Sequence, residues 1–277
     1  MSVLATRFGH GVHLSNSNIP LDNEALFRIA PSIFAEEKHG SRSDKYTYIP
    51  TIQVVEGLRK EGFMPFSACQ SRSRIEGKSE FTKHMLRFRQ DGLIKAEEAN
   101  EIILINSHDG TSSYQMIGGM FRFVCCNGMV TGDVIEDIRI KHKGQIVENV
   151  IEGAFTILDQ FAPAIEHREI MKDTRLNRGE QEIFARAAMA LKYDEKDEAP
   201  ISTRQILQPK RMADKQDDLW TNFNVIQENL IRGGIHGRSS NGRNMTTRPV
   251  ESIDGSVKLN RALWILADEM ARIKAAS

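Results

Sequence analysis

"FTKHMLRFR", residues 81–89, decides how this chain folds. Within it His84, Leu86 and Phe88 alternate with Lys83, Met85, Arg87 and Arg89, and a period of two belongs to a β-strand rather than a helix. The reading is a half-buried strand with a basic outer face. Similar β-prone runs stand on both sides, "FSACQSRSR" (66–74), "EIILIN" (101–106), "MFRFVCC" (120–126) and "DIRIKHK" (137–143), separated by Gly, Ser, Asp or Asn. Four or five short strands in succession, with no long helix between them, predict an antiparallel meander.

Upstream, "HLSNSNIPLDNEALFRIAP" (13–31) predicts a turn, a short helix from about Asn23 and a stop near Pro31. "PTIQVVEGLRKEG" (50–62) predicts an amphipathic helix capped by Thr51 and ended at Gly62. Downstream the period changes. "QIVENVIEGAFTILDQFAPAI" (145–165) sets Val147, Val150, Ile151, Ala154, Leu158 and Phe161 three and four apart, a core-facing helix interrupted near Pro163. Further helices are expected in "RGEQEIFARAAMALKY" (178–193) and "DDLWTNFNVIQENLI" (217–231). The latter carries a stripe of Leu219, Phe223, Ile226 and Leu230. A last helix, "VKLNRALWILADEMARI" (257–273), repeats Leu259, Leu263, Leu266, Met270 and Ile273. The fold class is therefore α+β: a meander packed with a long helix in the N-terminal half, then a helical C-terminal half. Three regions follow, a loop-rich segment over 1–50, the α+β core over 51–170 and the helical region over 171–277.

Composition narrows the function. Thirty-seven basic residues balance 37 acidic ones, so any electrostatic role must come from local segregation of charge. No apolar run reaches membrane-spanning length, and three cysteines, Cys69 and the adjacent Cys125 and Cys126, do not suit a disulfide framework. A soluble, cytoplasmic protein with no membrane partner is expected. No phosphate-binding glycine motif and no paired CxxC occurs, so neither a cofactor nor a metal is expected.

"NSHDGTSSYQMIGGMFRFVCCNGM" (106–129) concentrates reactive side chains. Ser107, His108 and Asp109 are the residue types of a hydrolytic triad, but consecutive residues cannot converge on one another as a triad requires. They read as a strand end followed by a polar turn, and Cys125 and Cys126 as the end of a strand before a turn at Asn127 and Gly128. No catalytic residue is assigned. A hydrolase or nuclease using His108, Asp109 or Cys126 stays as an alternative.

Charge is segregated in two places. Between Arg72 and Arg89 six basic residues, Arg72, Arg74, Lys78, Lys83, Arg87 and Arg89, face only Glu76 and Glu80. The second place is "RGGIHGRSSNGRNMTTRP" (232–249), a Gly/Ser/Asn-rich loop with Arg232, Arg238, Arg243, Arg248 and His236 and no acid. Arginines in such a setting pair with phosphate oxygens, so the candidate nucleic-acid-binding residues are Arg72, Arg74, Lys83, Arg87, Arg89, Arg232, Arg238, Arg243 and Arg248. Phe88, Phe121 and Phe123 are candidate stacking platforms for a single strand.

The 106–129 stretch, "DLWTNFNVIQENLIRGG" with "GRSSNGR", "KHMLRFR" and the terminal "VKLNRALWILADEMARIK" together resemble a phage/plasmid-like protein family, a domain of unknown function found in enterobacterial prophages and conjugative plasmids. The likeness runs through most of the chain. It implies a mobile-element protein and carries over no catalytic residues. The expected function is nucleic-acid binding, with single-stranded DNA as one form, in maintenance or recombination of such an element. The alternative is a non-enzymatic anti-defence or host-takeover protein that binds a host protein.

Overall fold

In the computed structural model residues 13–14, 19–41, 48–73, 75, 77–90, 98–122, 127–130, 138–139, 146–159, 161–193 and 199–276 are described. The first helix, α1 (Asn23–Ile29), starts where Asp22 accepts a hydrogen bond from the Ala25 amide at 2.8 Å, and Pro31 then opens a 3-10 turn over Pro31–Phe34. α2 (Thr51–Lys60) buries Thr51, Val54, Val55 and Leu58, a spacing of three and four that makes one face, and Gly62 follows it at φ 83°. Thr51 is not its cap. Pro50 occupies that position, which frees the Thr51 hydroxyl for other partners.

Chain contacts divide the protein into two units, Met1–Gly128 with Ile135–Phe161, and Met129–Val134 with Ala162–Ser277. The first holds the antiparallel meander. Its strands are β1 (His13–Leu14), β2 (Phe63–Gln70), β3 (His84–Gln90), β4 (Glu98–Asn106) and β5 (Gln115–Arg122). Sheet order continues from β5 to β6 (Asn127–Val130), and β7 (Ile138–Arg139) pairs with β5. Asn127 and Gly128, expected in a turn, thus open a strand. Cys125, Cys126 and Phe123 lie outside the described residues.

The register decides what each strand face carries. His84 stands opposite Asn106, Leu86 opposite Leu104 and Phe88 opposite Ile102, all on one face of the sheet. Arg87 and Arg89 are on the other. Both faces are covered, because every residue of β3 from His84 to Arg89 is buried. The long helix expected after the meander is α3 (Ile146–Asp159), which packs on α2, β4 and β5 and buries Val150, Ala154 and Ile157. Gly57 lets α2 and α3 approach, since a Cβ there would stand 2.9 Å from Val147 Cγ1.

The second unit is built on α4 (Phe161–Asp173), α5 (Arg178–Lys192), α6 (Thr203–Ile206), α7 (Leu219–Arg232) and α8 (Ile253–Ala275). Pro163 sits in the first turn of α4, where no helical hydrogen bond is lost. α5 opens on a reciprocal cap between Asn177 and Glu180, α7 on Asp218 and α8 on Ser252. α5, α7 and α8 pack on one another, with Trp220 stacked on Phe223 and both edge-on to Trp264. α7 buries all its residues from Leu219 to Ile231 rather than one stripe, so its polar groups need internal partners. Gln227 donates to Asn260 Oδ1 at 2.8 Å, and Asn229 to the Ile206 carbonyl at 2.7 Å. The face α8 buries also differs from expectation. It runs through Ser256, Leu259, Asn260, Leu263, Trp264, Ala267 and Ala271, leaving Ile273 exposed. No described helix is long and apolar enough to cross a membrane.

Candidate functional site

The arginines of β3 are part of the interior. Arg87 stands across from Ile103, two positions from Glu101, and the Glu101 carboxylate accepts from Arg87 Nη1 at 2.6 Å and from Arg89 Nε at 2.8 Å. The Arg89 guanidinium lies 4.7 Å from the Phe66 ring centroid and 4.0 Å from that of Phe121. Arg87 and Arg89 are each 2% exposed, so neither can line a groove for phosphates, and the basic outer face expected for this strand is corrected. The reason is a carboxylate on the neighbouring strand, which makes the burial of two cations tolerable. Phe88 and Phe121 are buried too and offer no stacking platform. Of the remaining candidates in this unit, Arg72 is exposed beyond β2, Lys83 is half-buried before β3, and Arg74 lies outside the described residues.

A polar cluster occupies the His84 end of the opposite sheet face. His84 Nδ1 is 2.9 Å from Ser32 Oγ and 3.3 Å from the Thr82 carbonyl, and Nε2 is 3.0 Å from Thr51 Oγ1. A carbonyl can only accept, so the network assigns the proton to Nδ1. Thr51 then donates to His84 Nε2 while accepting from Asn106 Nδ2 at 2.9 Å. His108 Nε2 is 3.4 Å from the same hydroxyl, with Tyr48 and His84 rings against the His108 ring. Burial, and then the nearby His108, push the His84 pKa down to about 3. Burial also pushes His108 down to about 4, against an opposing pull from the Ser32 main chain, which does not reach hydrogen-bond geometry at Nδ1, and from Asp109.

Burial thus favours the neutral form of both histidines at neutral pH. Asp109 accepts from the Thr111 amide and hydroxyl at 3.0 and 2.6 Å and pairs with Lys78 at 3.3 Å. Burial raises its pKa, but the Thr111 hydrogen bonds and Lys78 outweigh that and hold it below the ordinary value. Ser107 Oγ accepts from the Ser112 amide at 2.9 Å. The 107–112 turn is therefore what Ser107 and Asp109 build, as the sequence suggested. The Cys69 thiol, pushed up to about 12 by burial, is no nucleophile at neutral pH.

The second unit gives the arginines of 232–249 different fates. Arg232 turns inward and donates to Glu228 at 2.6 Å, and Glu228 also holds Arg211 by two hydrogen bonds of 2.7 and 2.9 Å. Its expected phosphate contact is corrected, because a buried carboxylate one helical turn back claims it. Arg238, Arg243 and Arg248 are exposed and form no ion pair among the described residues.

What the sequence suggested as a loop is a hairpin, β8 (His236–Arg238) and β9 (Asn244–Thr246). Asn241-Gly242 at its tip, with Gly242 at φ 74°, was the available signal. The base is tied down. Gly233, at φ 61°, leaves no room for a Cβ, which would stand 2.6 Å from the Thr247 carbonyl oxygen; the Gly234 amide donates to that oxygen at 2.8 Å. Lys192 Nζ donates to the Leu230 and Arg248 carbonyls at 2.6 and 2.8 Å, and Gln205 to the His236 carbonyl at 2.7 Å. A rigid base presenting exposed arginines can hold them in register against repeated phosphates.

Comparisons extend the picture to relatives. The domain of unknown function DUF932 matches residues 38–264. Two proteins of Escherichia coli (strain K12), the UPF0380 proteins YafZ and YfjQ, are each 50% identical over 270 residues, 98% of this chain and 98% of each relative. No solved structure matches. The DUF932 region takes in β2 to β5, the histidine cluster apart from Ser32, the whole hairpin and the first half of α8, and on that extent and the two full-length likenesses the chain belongs to the DUF932 family.

Proposed function

We propose that this protein binds nucleic acid through the β8–β9 hairpin, with Arg238, Arg243 and Arg248 contacting the phosphate backbone. The observation that carries the reading is a tied-down, exposed hairpin with three arginines and no acidic residue anywhere between Glu228 and Glu251. In a chain of zero net charge such segregation gives a local attraction that composition alone hides. Phosphate contact is also the chemistry that suits exposed guanidinium groups on a polar, non-acidic ribbon. The family resemblance supports placing this binding in the maintenance or recombination of a mobile element, within the cytoplasm.

Of the three stacking candidates for single-stranded DNA, Phe88, Phe121 and Phe123, the first two are buried and give that form no support, and Phe123 lies outside the described residues. Fluorescence anisotropy with labelled single-stranded and duplex DNA at low salt tests the reading. Saturable binding that weakens as salt rises is expected. No change in anisotropy at micromolar protein for either probe overturns it.

A further inference from the structure

Register on the hairpin separates its side chains by face. His236 pairs with Thr246 and Arg238 with Asn244, while Gly237 and Met245 alternate between them. His236 Nδ1 lies 3.1 Å from Thr246 Oγ1, so the first pair shares one face, and Arg238 and Asn244 follow on that same face toward the tip. All four are exposed. On the other face the chain packs against Gly237, where a Cβ would come 1.9 Å from the Pro200 carbonyl oxygen, which also accepts from the Arg238 amide at 2.8 Å, while Met245 of the same pair stays 45% exposed. The free face therefore offers only hydrogen-bonding side chains, with a guanidinium and a carboxamide side by side.

We infer that the hairpin is a two-stranded ribbon that enters the major groove of duplex DNA, Arg238 and Asn244 reading base edges while Arg243 and Arg248 hold phosphates. This rests on the nucleic-acid reading above and narrows it. Strands about 4.8 Å apart with side chains on them match a major groove about 12 Å wide and not a minor groove of about 6 Å. Arg238 has the fork that meets O6 and N7 of guanine, and Asn244 the donor–acceptor pair that meets N6 and N7 of adenine. Opposed residues in such a pair sit about 5 Å apart, close enough to reach neighbouring base pairs. An acidic protein surface would use the arginines equally well and could accept from the Asn244 amide, but its carboxylates would leave the Asn244 carbonyl unmatched, where an adenine edge pairs both groups.

The test uses the full chain and a duplex library with a randomised centre. Wild type should enrich a preferred sequence and bind it on the order of tenfold or more tighter than a scrambled duplex. Replacing the purines of that sequence by 7-deazapurines, which lack N7, should weaken wild type by about tenfold and leave the Arg238→Ala/Asn244→Ala variant unaffected. Asn244→Ala should lose discrimination while its salt dependence stays unchanged, because no charge is removed. If wild type binds DNA without enriching a sequence, or the 7-deaza duplex binds as well as the natural one, the ribbon assignment is overturned while nucleic-acid binding stands. Binding to no DNA at all overturns both. Binding confined to an acidic protein counts likewise against both.

Discussion

Glu101→Gln is the substitution that most sharply separates an interior role for Arg87 and Arg89 from a surface one. The side chain keeps its size and loses its charge, so two guanidinium groups, each 2% exposed, remain buried without a counter-ion. Removing one partner from a buried ionic network costs about 3–5 kcal/mol, more than the loss of the two hydrogen bonds at 2.6 and 2.8 Å would suggest, because the remaining charges keep their desolvation penalty. Cation–π contacts with Phe66 and Phe121 soften that penalty for Arg89 and not for Arg87. Hydrogen exchange at β3 and β4 amides is the local assay. Protection there should fall by about a hundredfold to several thousandfold, following the lost stability. A triple replacement of Arg87, Arg89 and Glu101 by apolar residues of similar volume should recover most of it. Unchanged protection in Glu101→Gln, with tighter DNA binding, would refute the buried-network reasoning and return both arginines to the surface.

Three further outcomes follow from the same geometry. His84 and His108 have folded pKa values of about 3 and about 4, below the unfolded value near 6.5, so between those limits the unfolded chain holds protons the folded chain does not and stability falls as pH falls. At pH 5 each histidine should cost about 2 kcal/mol relative to pH 7.5, and denaturation midpoints of wild type compared with His108→Gln should show the smaller pH dependence in the variant. Thr51→Val keeps the shape and removes the hydroxyl between His84 and Asn106, which should destabilise by about 1–3 kcal/mol, with Thr51→Ser near wild type in the same melts. Gly233→Ala forces a side chain into a positive-φ site against the backbone, and it should weaken DNA binding in anisotropy titrations although every arginine is retained.

Local chemistry makes much of the fold legible in the sequence. A start near Asn23 and a stop near Pro31 bounded α1, Pro50 and Gly62 bounded α2, and the alternation in 84–89 located β3. Alternation reports which side chains share a face, but it does not report what covers that face. Glu101, on the next strand, is what turns a basic surface into an interior ion network. The histidine cluster was hidden for the same reason, since Ser32, Thr51, His84 and Asn106 meet only through pairing and helix packing. Arg232 looked equivalent to its neighbours in composition and differs from them through Glu228, one turn away on a helix that is buried on all sides. The hairpin strands are three residues each, too short for a periodic signal, and only Asn241-Gly242 marked them.

The salt dependence of DNA affinity, compared between wild type and Arg238→Ala/Arg243→Ala/Arg248→Ala, tests the central claim most directly. Each phosphate contact contributes about −0.9 to the slope of log K against log salt on duplex DNA, so the variant should lose two contacts' worth of slope if Arg238 meets a base edge and three if it meets a phosphate, as well as affinity. All three side chains are exposed, and the variant should keep the wild-type circular dichroism and melting temperature. A folded variant that binds DNA with the wild-type affinity and slope would contradict nucleic-acid binding through this hairpin.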